Sequence, residues 1–208
     1  MILPCSPRLG HTFYDGDDIP TTYNSNSITQ EGKPGIFPDY DPANLPALRS
    51  ASERTYIFLR NVSGNTAHAG DVVCLAGGIP CRRFGALGYS TAADDVMGVV
   101  DELLPSTGCP NGDMCWVCVN GEQLVKTTRT SGEITAAIAV GDPLYVSTAV
   151  TSGATTAGRV RPGYSTFTAT QTTDGTANQF GGGAFLRALS AAASTATNTT
   201  ILAKIRVL

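Results

Sequence analysis

From Thr55 onward, short β-prone runs alternate with Gly, Asn, Asp and Pro, and no long stretch carries the 3.6-residue spacing of an amphipathic helix. The runs predict strands over residues 55–62, 71–75, 96–104, 114–119, 122–127, 134–139, 144–147, 159–161, 184–191 and 199–207. Many short strands at this spacing predict an all-β fold, a small antiparallel β-barrel or sandwich. Asn120-Gly121 between two of the runs predicts a two-residue hairpin, because a type I′ turn needs positive φ at both central positions. In the last run Ile201, Ala203, Ile205 and Val207 alternate with Leu202, Lys204, Arg206 and Leu208, the pattern of a half-buried strand. Residues 148–182, rich in Thr, Gly, Ala and Ser, are expected to form an elaborated loop.

The first 50 residues follow a different rule. They hold seven of the twelve prolines, and Pro34, Pro38, Pro42 and Pro46 recur at every fourth position, a spacing no helix survives. Residues 1–50 are therefore expected to be an extended, irregular or polyproline-like N-terminal arm on a body of residues 51–208. A disordered leader would be poor in aromatics, yet this segment carries Phe13, Tyr14, Tyr23, Phe37 and Tyr40 together with Ile36 and Leu45. Those seven side chains are the expected anchors. They must be buried on the protein's own body or on a neighbouring molecule, and docking on a partner is expected. Fully extended, fifty residues reach roughly 165 Å.

Charge sharpens this division. Six acids against three bases in residues 1–50 leave the whole net charge of −3 in the arm, since the remainder balances eleven acids with eleven bases. With charged residues at 15% and no basic field, nucleic acid is not an expected partner. No apolar run approaches the eighteen or so residues of a membrane span, so a soluble chain is expected, and the first seven residues lack the basic start of a secretory signal. At 208 residues the chain accommodates one core, or one core and an appendage, without disulfide staples; six cysteines fit a reducing compartment.

Candidate chemistry is sparse. Cys115-Trp116-Val117-Cys118 has the spacing of a zinc or redox pair, but three residues apart on a strand its sulfurs point to opposite faces. Cys109 with Cys115, and Cys74 with Cys81, could approach across intervening turns, with buried free thiols as the alternative. His11 lies in the arm and His68 in a turn, and neither has a partner that would make it a general base. Asp15-Gly16-Asp17-Asp18 lacks the ligand order of a calcium loop, and Gly181-Gly182-Gly183 lacks the context of a phosphate loop. The sequons at Asn61 and Asn198 matter only in a secreted chain. No enzyme, cofactor or metal is expected.

Four motifs in order resemble one family: Ala69-Gly70-Asp71-Val72-Val73, Val96-Met97-Gly98-Val99-Val100, Ile138-Ala139-Val140-Gly141-Asp142-Pro143-Leu144-Tyr145-Val146-Ser147, and Phe185-Leu186-Arg187-Ala188-Leu189 leading to the C-terminal strand. Over about residues 55–208 this order is similar to that of capsid decoration, or cement, proteins of tailed bacteriophages. The resemblance implies a small β-barrel, no catalytic residues, the major capsid protein as partner, and a homo-oligomer with trimers favoured. It also implies a place on the capsid surface of the virion after synthesis in the host cytoplasm. A receptor-binding or tail-fibre module is the alternative function, since a polar Thr-rich loop on a β scaffold would also serve it.

Overall fold

The structure, a computed structural model, describes residues 9–10, 32, 34–75, 83–87, 96–127, 137–146, 160–162, 186–192 and 199–206. Every element among them is a strand: β1 (Pro34–Tyr40), β2 (Leu48–Asn61), β3 (Val72–Leu75), β4 (Arg83–Leu87), β5 (Val96–Val100), β6 (Met114–Lys126), β7 (Pro143–Val146), β8 (Val160–Pro162), β9 (Leu186–Ala188) and β10 (Thr200–Arg206). They form one ten-stranded sheet in the order β1-β2-β4-β3-β5-β6-β10-β9-β7-β8, antiparallel except for a short parallel contact between β2 and β4. The protein is thus all-β, as its alternation of runs and turns predicts. The sheet is not closed into a barrel, although an additional β2–β6 pairing folds its first half back on itself.

Two expectations are corrected. Asn120-Gly121 is not a hairpin turn, because β6 runs through it as one thirteen-residue strand. Its first half pairs with β2 and its second half with β10. Gly121 sits at φ 124°, and a Cβ there would lie 2.6 Å from Cγ of Arg54. The glycine serves a change of partner with a bulge, where Thr55 faces Asn120 and Tyr56 faces Cys118. The second correction concerns the end of the arm. Residues 34–40 are a strand, and the boundary expected after residue 50 falls inside β2. Pro34 and Pro38 are accommodated because β1 is an edge strand, and prolines four apart leave their missing donors on one edge.

Residues 55–120 and 121–206 repeat one five-strand plan. The first copy orders β4-β3-β5-β6 and the second β8-β7-β9-β10, with the last strand of the first running through β6 into the first strand of the second. Corresponding hydrogen bonds match. Ala67 and Cys109 exchange backbone bonds of 2.9 and 2.6 Å, and Ile138 and Ala192 exchange two of 2.9 Å. Gly70 donates to Val100 O and Val100 to Asp71 O (3.1 and 2.8 Å), while Gly141 donates to Ala188 O and Ala188 to Asp142 O (2.8 and 2.9 Å). In each turn the Asp carboxylate accepts the amide three residues back, from His68 at 2.7 Å and from Ala139 at 2.8 Å. Asn61 to Asp113 O and Thr127 to Thr199 O, both 2.8 Å, close the correspondence. In sequence, Gly88-Tyr89-Ser90-Thr91 and Gly163-Tyr164-Ser165-Thr166 follow the third strand of each copy, β4 and β8.

Both faces of the first copy are buried. Leu59, Val73, Phe84, Val100, Cys115 and Val117 fill one side. Tyr56, Phe58, Val72, Val99, Trp116 and Cys118 lie on the other, continuous with Val125, Leu144, Ile201, Ala203 and Ile205 of the second copy. In β10 the buried residues are Ile201, Ala203 and Ile205, the face its alternation predicts. A polar tie crosses this core: Tyr56 donates its hydroxyl to Gln123 Oε1 (2.9 Å), and Gln123 Nε2 donates to Val100 O (2.6 Å).

Candidate docking surface

The strand β1, which carries three of the seven expected anchors, is locked to the body in two ways. Phe37 sits edge-on to Tyr56 (centroids 5.6 Å, 86°) and to Trp116 (5.0 Å, 73°), so it anchors the segment on its own body. Gly35 lets this happen, since a Cβ there would lie 2.7 Å from Phe37 Cε2 and 2.8 Å from Trp116 Cη2. The outer aromatic face of the first copy is therefore covered by its own N-terminal segment.

The second lock is ionic. Asp39 of β1, fully buried, accepts from Arg49 Nη2 and Ser50 Oγ, both at 2.7 Å, and lies 3.3 Å from Arg54 Nε. Glu102, beyond β5, accepts from Arg54 Nη1 at 2.5 Å and from the Leu124 amide at 2.7 Å, and lies 3.3 Å from Arg49 Nη2. Two carboxylates and two guanidiniums thus balance within a site that joins β1, β2, the turn after β5, and β6. Sequence reasoning missed all four residues. Their only trace is charge placed in strands, at Asp39 and at Arg49 and Arg54.

Between β1 and β2 the chain turns tightly through residues 41–47, held by Asp41 N–H to Ala47 O (2.9 Å) and Ala47 N–H to Asn44 O (2.7 Å). Asp41 Oδ2 accepts from Asn44 Nδ2 at 2.8 Å, and Oδ1 from the Ala43 amide at 3.0 Å. These bonds hold the Asp41 carboxyl below its ordinary pKa. On this hairpin three large apolar residues face solvent: Ile36 at 66%, Leu45 at 58% and Leu48 at 56% exposure. Tyr40 is half-buried, and its carbonyl accepts from Arg54 Nη2 at 3.4 Å.

The expected anchors therefore divide. Ile36 and Leu45 are exposed on the hairpin, Phe37 is packed on the body, Tyr40 is half-buried, and Phe13, Tyr14 and Tyr23 lie outside the described residues. Nearer the N-terminus, Leu9 packs against the core and the Gly10 amide donates to Asp101 Oδ2 at 2.6 Å. Burial pushes the Asp101 carboxyl up to about 6, against the lowering effect of the Gly10 and Leu103 amides. Residues 11–31 thus run between two attached points, Gly10 and Gly32, the latter donating to Phe58 O at 2.7 Å.

The chemistry motifs resolve as follows. Cys115 and Cys118 lie in opposite core clusters, as strand geometry requires. Cys74, Cys109, Cys115 and Cys118 are buried free thiols. Burial pushes Cys118 up to about 12, and a hydrogen bond with Cys109 followed by burial raises Cys115. Thiols in such surroundings are poor nucleophiles at neutral pH. Cys81, His11, Asp15 to Asp18 and Gly181 to Gly183 lie outside the described residues. Among those described, no cluster of three His, Cys, Asp or Glu is placed to hold a metal ion. Compared with known proteins, the chain matches no family model, and no curated protein is significantly similar to it.

Proposed function

We propose that this protein is a non-enzymatic structural protein that binds the outside of an assembled phage capsid and stabilises it by bridging neighbouring major capsid subunits. The observation that carries the reading is the hairpin of β1, residues 41–47 and β2, which holds Ile36, Leu45 and Leu48 in solvent on a backbone fixed by a buried ion network. Exposed apolar side chains on a backbone already held by hydrogen bonds and ion pairs lose less entropy on binding, which favours a docking role. The partner class rests on the ordered motifs, two of which are the equivalent Gly-Asp turns of the two copies. Cementing follows by linkage: a molecule that binds only the assembled shell lowers the free energy of that shell relative to its parts. Many weak contacts repeated over a lattice add avidity.

The arm in this reading is shorter than fifty free residues. Tied to the body at Gly10 and Gly32, residues 11–31 cannot reach more than about 35 Å from those two points. The test mixes purified protein with expanded capsids and with procapsids of its cognate phage, followed by sedimentation. Co-sedimentation that falls by about tenfold or more in affinity for Ile36→Asp/Leu45→Asp supports the proposal. Failure to sediment with either particle refutes it, and binding to host cells or glycans without capsid affinity turns the assignment to a receptor-binding module.

A further inference from the structure

The two copies of the repeated unit differ most on one face. In the first copy the outward positions are Tyr56, Phe58, Val99, Trp116 and Cys118, all buried, with the N-terminal segment seated on them through Leu9 and Phe37. Their counterparts in the second copy are Glu122, Leu124, Arg187, Leu202 and Lys204, which are half-buried or exposed. The same face is therefore covered in one copy and solvated in the other.

Its charge is unusual for a solvated sheet. Lys204 and Arg187 lie directly opposite each other across β10 and β9, and Arg206 follows Lys204 on the same side of β10. Like charges in that register repel, a cost that natural sheets avoid or offset. Glu122 is the acid opposite Lys204 on β6, yet none of the three cations has an ion pair among the described residues. A stripe of unpaired, opposed cations fits an acidic occupant. The chain itself supplies one: Asp15, Asp17 and Asp18 lie in the N-terminal segment, with no Lys or Arg between His11 and Glu31.

We propose that the outward face of β9 and β10 receives the Asp15–Asp18 segment of a second copy of this protein, as the first copy's equivalent face receives residues of its own N-terminal segment. Such an arm-on-face contact is heterologous, so it closes into a ring when the rotation between subunits permits. It builds the homo-oligomer without using the Ile36, Leu45 and Leu48 surface.

The experiment uses purified full-length protein without capsids, so its outcome is separate from that of the capsid reading. Sedimentation velocity over a concentration series is compared for the wild type, Arg187→Glu/Lys204→Glu, Asp15→Lys/Asp17→Lys/Asp18→Lys, and an equimolar mixture of the two variants. All the stripe substitutions are at exposed positions, and circular dichroism checks that each variant is folded. The expected result is a wild-type oligomer that weakens with salt, a loss of about tenfold or more in association for each variant alone, and recovery in the mixture. A monomeric wild type, an oligomer indifferent to stripe reversal, or a mixture that stays dissociated would each overturn the proposal. So would restored stability without association when both reversals are placed in one chain, since that outcome puts the segment on its own body.

Discussion

Replacing Asp39 by Ala should destabilise the protein by about 3 kcal/mol, the low end of what breaking a buried ion pair costs. The value follows from the site's charge balance. Asp39 and Glu102 offset Arg49 and Arg54, and Arg54 is fully buried, so removing Asp39 leaves an excess positive charge away from water. Glu102 remains at 2.5 Å from Arg54, and Arg49 is partly exposed and able to turn outward, which keeps the loss from the top of the range. For a chain of this size about 3 kcal/mol corresponds to a fall of roughly 6–12 °C in Tm. The diagnostic step is the double variant Asp39→Ala/Arg54→Met. Removing the stranded cation as well should restore part of the stability, because apolar packing often substitutes for a buried pair without loss. Thermal and denaturant unfolding by circular dichroism measure both. A loss below about 1 kcal/mol for Asp39→Ala, or strictly additive losses in the double variant, would show that the network does not fasten β1 to the body.

Three further outcomes follow. Gly121→Ala should cost about 2–3 kcal/mol, from positive φ and the contact with Arg54, as read by urea unfolding. Phe37→Ala should cost about 2 kcal/mol and speed limited proteolysis within residues 41–47, whereas unchanged cleavage would mean that its ring does not hold the hairpin. Asp101 makes stability fall as pH rises. Its carboxyl binds a proton more tightly folded, at about 6, than unfolded, at about 4, so its contribution is complete below pH 4 and is lost through pH 6. The difference amounts to about 3 kcal/mol, and Asp101→Asn should flatten that part of the stability–pH profile.

What could be read from the sequence was what local pattern decides. The all-β class, the last strand with Ile201, Ala203 and Ile205 buried, and the opposite facing of Cys115 and Cys118 all depend on the two-residue period of a strand. Asn120-Gly121 misled because its composition suits a type I′ turn, while the glycine is required by Arg54, sixty-seven residues away in sequence and adjacent in space. β1 was hidden by Pro34 and Pro38, which exclude a central strand but not an edge. Residue type alone does not separate Phe37, packed on Trp116, from Ile36 beside it in solvent. The repeated unit is faint in the sequence because likeness persists mainly at its turns, whereas Trp116 and Cys118 on one face correspond to Leu202 and Lys204.

The capsid proposal is tested most directly by an image reconstruction of an expanded phage capsid saturated with this protein, at a resolution that places the ten-stranded body. The expected result is density on the outer surface with the β1 hairpin, Ile36, Leu45 and Leu48 toward the shell and contacting a junction between capsid subunits. Density with that hairpin facing solvent, or an undecorated shell at saturating protein, would contradict it.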